Sequence, residues 1–157
     1  MTSALWLADW SDEEDAAFRA AAPPGTRVLR SAPLGGTVGS RGHRLRSYPA
    51  YAGLAVRGLR SADGDALVAW QPLVGALTGL LRTGARPPLV ALNPILSRDS
   101  TSRAQRLAVA GLRRVDRVVV YTRAGLSDAV AAGLDPGRLA HVPLGVTARL
   151  DVAPPDP

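Results

Sequence analysis

The run ALWLA at 4–8 is apolar throughout, the pattern expected of a strand buried on both faces of a parallel sheet. SDEE follows at once: Ser11 can accept from the third helical N–H while Glu14 reaches back. This capping box opens a helix over DEEDAAFRAAA, which PPG at 23–25 stops. TRVLRSA (26–32) reads as a second strand and runs into the loop PLGGTVGSRGHR. From about 44 to 60, Leu45, Tyr48, Ala52, Ala55 and Leu59 recur at helical spacing, with Arg44, Arg46, Arg57 and Arg60 on the flanks. Pro49 predicts a first turn or a kink there. DALVAWQ (65–71) is a third strand, and PLVGALTGLLRTG its helix, with Pro72 near the first turn and Gly84 at the C-cap. PPLVALN (87–93) is a fourth strand and STSRAQRLAVAGLRRV (100–115) a basic amphipathic helix. DRVVVYT (116–122) is a fifth strand, AGLSDAVAAG a short helix closed by Gly133, and RLAHVPL (138–144) the last strand.

Strand and helix thus alternate about six times, at spacings of roughly 20–30 residues, which predicts a parallel sheet with helices on both faces. The expected fold is α/β, a doubly wound Rossmann-like sheet of about six strands over residues 1–146, with a Pro-rich linker or tail at 147–157. In such a sheet ligands bind beyond the carboxyl ends of the strands. The loops expected there carry Asp9 and Trp10, then Gln71, then Asn93, Ser97 and Arg98, then Thr122 and Arg123, and finally Gly145; these are the cleft-facing candidates. Asn93 and the Ser/Asp pair after it could equally be an Asn-Pro turn and a helix cap. Gly35 and Gly36 allow close backbone approach and Arg41 and Arg44 supply charge, so that loop is a candidate anion site or else a plain connection.

Composition removes several chemistries. With no cysteine there is no disulfide, thiolate metal site or Cys nucleophile. All nineteen basic residues are arginine, so a P-loop lysine and Schiff-base catalysis are excluded. His43 and His141 form no cluster with metal-ligand spacing, and no serine sits in G-x-S-x-G. The first helix opens with Asp12, Glu13, Glu14 and Asp15, which suit the helix dipole but repel the pyrophosphate of a dinucleotide. The net charge of +6 raises nucleic acid or anionic lipid as partners, yet aromatics at 4% are too sparse for stacking on bases, and nucleic acid is not expected. The arginine-flanked helices at 44–60 and 103–117 leave an anionic membrane surface as an open alternative to a plain solvated face. No apolar run approaches the roughly eighteen residues needed to span a bilayer, and the start has no secretory signal pattern, so the expected location is cytoplasmic, with peripheral contact at the inner membrane face as an option.

The closing stretch RRVDRVVVYTRAGLSDAVAAGLDPGRLAHVPLGV resembles the end of the N-terminal domain of GT-B glycosyltransferases of the family 4 type. There a buried strand ends in a small hydroxyl residue, a short helix ends in a G-L-x-P-x-R-L turn, and a V-P-x-G-V strand leads into a second domain. DALVAWQPLVGALTGLL and PPLVALNPIL look like that domain's two preceding units. The resemblance covers about 62–148, and the first sixty residues share only the topology.

What it implies is the acceptor-side half of an enzyme that moves a sugar from a nucleotide-sugar donor to a saccharide or lipid-linked acceptor. The nucleotide sugar is a co-substrate held mostly by a C-terminal domain, and no other cofactor is expected. That domain's E-x7-E pair has no counterpart here, since Glu13 and Glu14 are adjacent and the only glutamates. The companion domain, or a separate chain supplying it, is therefore an expected partner, and little transferase activity is expected from these residues alone. Two positions depart from the family. The loop after the first strand, often Gly-Gly, is acidic, and Asn93 stands where many members carry a histidine. Thr122 and Arg123 match strand-end positions that face the cleft. The readings left open beside this one are a stand-alone module binding an anion or membrane surface, and a different α/β enzyme acting on a nucleotide or sugar phosphate.

Overall fold

Six short strands, β1 (Ala4–Ala8), β2 (Thr26–Arg30), β3 (Ala66–Ala69), β4 (Leu89–Leu92), β5 (Arg117–Val120) and β6 (Leu139–His141), form one sheet in the computed structural model of the chain. Residues 4–9, 11–31, 41–62, 66–84, 87–97 and 102–143 are described. The strand order is β2-β1-β3-β4-β5-β6 and every pairing is parallel. Between the strands run α1 (Asp12–Ala21), α2 (Arg41–Ser61), α3 (Pro72–Leu81), α4 (Arg103–Leu112) and α5 (Arg123–Ala131). The doubly wound, Rossmann-like α/β class read from the sequence is what the chain adopts.

The direction of travel decides where each helix lies. The chain steps from β1 to β2 one way and thereafter always the other way, and right-handed crossovers put helices on opposite faces when the direction reverses. Contacts agree. Trp6 meets Phe18 of α1 at 4.7 Å between ring centroids, while Leu7, pointing oppositely, packs beneath Gly58 of α2. The point where the crossovers diverge lies between β1 and β3.

The core fills the α3 side. Leu5, Leu7, Leu67, Leu89, Val118 and Val120 are at most 1% exposed, and each such side chain adds about 1.5–3 kcal/mol over leaving it in water. Gly75 lets α3 descend onto Ala69 and Ala91, and Gly79 and Gly111 bring the α3 and α4 backbones together with no room for a methyl between them. Burial along α2 falls on Tyr51, Leu54, Ala55 and Gly58. The stripe expected from the sequence is rotated by about one residue: Tyr48 is 44% exposed. Helix α2 also begins ahead of the expected residue 44, which puts Pro49 in its interior, with its missing N–H on the exposed side. His141 is exposed at the end of β6.

The helix ends obey local rules. Ser11 Oγ accepts from the Glu14 N–H at 3.2 Å while Glu14 Oε2 accepts from the Ser11 N–H at 2.8 Å, the capping box expected from SDEE. At the end of α5, Gly133 (φ +85°) allows a Schellman motif in which the Leu134 N–H donates to Ala129 O and the Gly133 N–H to Val130 O. Gly84, expected as a C-cap, lies two residues past the C-cap Arg82 and also has positive φ.

The arginines have a structural occupation at the amino pole, where helices end and the next strands begin. Arg113 donates to Gly133 O, Arg114 to Leu80 O and Arg82 O, Arg138 to Arg113 O, Arg117 to Gly137 O and Arg27 to Ser61 O. Carbonyls at helix C-termini lack intrahelical donors and carry the negative end of the helix dipole, so a guanidinium fork satisfies both. Arg82, 3% exposed, joins this set through Arg114 O and a 2.7 Å pair with Asp116, whose Oδ2 also accepts from the Leu89 N–H. Much of the positive charge therefore ties elements together, and it need not signal a polyanionic partner.

Candidate functional site

The parallel register places three of the expected residues at one level. Leu7 pairs with Ala69 and Ala69 with Ala91, so two residues further on Asp9, Gln71 and Asn93 stand side by side at the ends of β1, β3 and β4. At about 4.8 Å per strand, this row spans roughly 10 Å. Strand alternation carries Asp9 and Gln71 to the α3 side, with Leu5 and Leu7 and with Leu67 and Ala69, whereas Asn93 leaves the extended conformation just past Leu89 and Ala91. The row straddles the divergence of the crossovers between β1 and β3, where open α/β sheets bind ligands.

Asp9 is fixed by a residue the sequence reading left out. The Tyr51 phenol, 7% exposed on α2, donates to Asp9 Oδ2 at 2.6 Å. Burial first, and the Asp9 carboxylate second, push the Tyr51 phenol well above the ordinary tyrosine range. The phenol therefore stays a donor to the carboxylate. Tyr48 lies three residues earlier on the same side of α2 and further past the sheet edge, with its ring 44% exposed. The part of α2 ahead of Tyr51 extends on the order of 15 Å beyond the carboxyl edge, a wall over the row. An i, i+3 pair of tyrosines in RSYPAYAG was the signal available in the sequence.

Asn93 is held in an unusual conformation. Its φ of +42° is left-handed, a region that asparagine tolerates better than most residues, and it precedes Pro94, which ordinarily favours extended backbone. Its N–H donates to Val119 O at 2.6 Å, so the strain is anchored by the neighbouring strand. Gln71 is the N-cap of α3 and makes no side-chain cap, and Pro72 follows. Its amide is thus not spent on its own helix.

The remaining candidates separate from this row. The Thr122 hydroxyl caps α5 by accepting from the Gly125 N–H at 2.9 Å, and Arg123 is the exposed first residue of that helix. The Ser97 backbone is held by the Gln105 side chain, so Ser97 belongs to the anchoring of α4. Arg41 and Arg44, expected in a loop, lie on the backbone of α2. Trp10, Gly35, Gly36, Arg98 and Gly145 fall outside the described residues. Helix α1 presents Asp12, Glu13, Glu14 and Asp15 at its N-terminus, where its capping box, together with Arg30 bonded to Asp12, closes the end that a phosphate would need.

Two cavities lie at the other pole. One of about 430 Å3 is lined by Leu112, Arg113, Val118, Leu134, Arg138 and Leu139, and one of about 330 Å3 by Val56, Leu59, Leu81 and Pro87 among others. Both sit where helices end and strands begin, and the arginines of the larger one are engaged with backbone carbonyls. They are gaps between helix ends, away from the strand-end row. Among the described residues no group of His, Asp or Glu could hold a metal, and no helix is long and apolar enough to cross a membrane.

The row joins one carboxylate, two primary amides and a nearby exposed phenol ring. Such a set donates to and accepts from hydroxyl groups, and offers an aromatic face to the C–H side of a sugar ring. No protein-family model matches the chain, and no curated protein matches it.

Proposed function

We propose that the Asp9–Gln71–Asn93 row binds a saccharide, and that the chain is the acceptor-side half of a glycosyltransferase. The observation that carries this reading is the chemistry of the row: a carboxylate held by Tyr51 beside two residues with primary amides, Gln71 and Asn93, at the divergence of the crossovers. A polyol satisfies these groups, and a phosphate is opposed by Asp9 and by the acidic start of α1. In this reading the nucleotide-sugar donor is held by a companion domain or chain facing the carboxyl edge, as the family resemblance implies. Asp9 accepts a hydrogen bond from the acceptor hydroxyl and orients its lone pair, and Gln71 and Asn93 fix the ring. The companion closes the site against water, which one face of a cleft does not do.

Calorimetric titration tests the proposal. Neutral oligosaccharides should bind in the range of about 0.1–10 mM, and Asp9→Asn should weaken them at least tenfold. Nucleotide sugars should bind no better than the neutral sugars, and no transfer should be seen from the chain alone. Tight binding of a dinucleotide, or of inorganic phosphate or anionic vesicles in place of saccharide, would overturn it.

A further inference from the structure

Most of the described arginines are engaged with carbonyls or carboxylates, but three that are not stand together. Arg103 and Arg106 lie in the first turn of α4, and Arg123 is the first residue of α5; both helices begin at the carboxyl edge of the sheet. All three are exposed, and none makes a side-chain hydrogen bond or ion pair among the described residues. Arg113, about two turns beyond Arg106 on the same side of α4, reaches Gly133 O at the end of α5, so Arg106 is turned toward the early part of α5. The positive end of a helix dipole favours carboxylates, which α1 supplies, yet the first turns of α4 and α5 contain none. Folding alone disfavours like charges gathered on such ends. In sequence, 95–107 carries Arg98, Arg103 and Arg106 against Asp99 alone. The same corner projects apolar side chains. Ile95, just past β4, is 85% exposed and Leu107 of α4 61%, the highest values for large apolar residues among those described. The Gln105 side chain bonds both the N–H and the carbonyl of Ser97, which draws the Ile95 segment against the start of α4. Leu107 lies one turn beyond Arg103 on the outward side of that helix, and the exposed Ala110 continues the stripe.

We infer that this corner docks on the anionic surface of a lipid bilayer: Arg103, Arg106 and Arg123 meet headgroup phosphates while Leu107 and Ile95 enter the headgroup layer. Charge selects the occupant. A guanidinium pairs in bidentate fashion with phosphate oxygens, and a bilayer offers many of them in one plane. That suits cations spread over two helices on an open surface. The apolar side chains suit it as well. Ile95 and Leu107 stand singly among arginines, which fits shallow entry to about 5–10 Å into the headgroup and acyl boundary. A protein partner would instead need a contiguous apolar centre with aromatic anchors, and the exposed stripe of α4 holds no aromatic residue. The docking corner shares the carboxyl edge with the Asp9–Gln71–Asn93 row but none of its residues, and docking does not depend on the saccharide reading.

Co-sedimentation of the full chain with phosphatidylcholine vesicles, with and without phosphatidylglycerol, tests the docking. The chain should bind the mixed vesicles, ignore phosphatidylcholine alone, and be released as salt rises from about 0.1 to 0.5 M. Each cation at such a surface is worth about fivefold in partitioning, so Arg103→Gln with Arg106→Gln should weaken binding by about tenfold or more. Leu107→Gln, at unchanged charge, should weaken it by about threefold or more. Arg60→Gln makes the same charge change at the exposed end of α2, on the opposite pole, and should weaken binding by less than about twofold because salt screens that distance. Arginine and glutamine have nearly equal helix propensity, so the double variant should melt no lower than the parent. A lower melting temperature would show these arginines tied to the fold and overturn the inference. So would absence of binding to the mixed vesicles, equal binding to neutral ones, equal losses from Arg60→Gln and the α4 pair, or binding to polyglutamate but not to anionic vesicles.

Discussion

Gly111→Ala and Gly53→Ala are the same chemical change in two helices, and the structure gives them opposite signs. A methyl on Gly111 would point at Ala76 O and stand 2.8 Å from Ala76 C and 3.0 Å from Ala76 Cα. Ordinary contact begins near 3.4 Å, and the obstacle is backbone that cannot rotate aside, so α3 and α4 must part by a substantial fraction of an ångström along their whole contact. Overpacking of this kind costs about 3 kcal/mol, of which improved helix propensity offsets about 1, leaving a net loss of about 2 kcal/mol. For a chain of this length that is a fall in Tm of about 4–8 °C. At Gly53, exposed in α2, nothing lies within 4 Å of the added carbon, so Gly53→Ala should gain about 0.5–1 kcal/mol. Urea and thermal melts followed by far-UV circular dichroism measure both. Equal stability of the two variants would refute the claimed backbone contact between α3 and α4.

Further substitutions probe other parts of the molecule. Tyr51→Phe keeps the ring and removes the donor to Asp9, and should cost about 1.5–3 kcal/mol in a denaturant melt. Because the Tyr51 phenol is raised above its ordinary value of 10.0, its contribution is complete below that pH and fades as pH climbs toward the folded value; tyrosinate absorbance should show a late-titrating phenol that is lost in Tyr51→Phe, beside the Tyr121 phenol, which burial also raises. Asp116→Ala removes the carboxylate that pairs with the buried Arg82 guanidinium and accepts from the Leu89 N–H, and should lower stability by about 2–3 kcal/mol in the same melt, reduced from a fully buried pair because Asp116 is partly in water and Arg82 keeps its bond to Arg114 O. The exposed Glu14 carboxylate is held below its ordinary 4.5 by the Ser11 N–H and hydroxyl, so its contribution is present above that pH and lost as pH falls through the folded value; Glu14→Gln should remove this acid-side dependence from the pH profile of the melt.

The order of elements was readable because each left a local mark: SDEE for the first cap, Gly133 for the last Schellman turn, VVV for β5. Boundaries slipped where tertiary contacts decide. RGH at 41–43 read as the end of the glycine-rich loop, yet it forms the first turn of a helix that overhangs the sheet. The buried side of α2 turned toward Tyr51 because a phenol with a carboxylate partner can be buried where periodicity alone favoured Tyr48. The all-apolar strands suggested cover on both faces. Apolar composition does not reveal strand order, and it is the single reversal of direction about β1 that leaves α1 as the only described helix on one face. Of the candidate site, Asp9, Gln71 and Asn93 were legible as strand-end residues, but their shared level depended on register, and Thr122 and Ser97 were drawn into local anchoring.

The most direct test of the proposal that the Asp9–Gln71–Asn93 row binds saccharide is a 1H–15N NMR titration of the whole chain with neutral methyl glycosides and short oligosaccharides. The proposal predicts saturable shifts clustered at Asp9, Gln71, Asn93 and residues 48–51, abolished by Asp9→Asn. Shifts confined to the amino pole around Gly133 and Leu139, or a response to phosphate but to no neutral sugar, would contradict it.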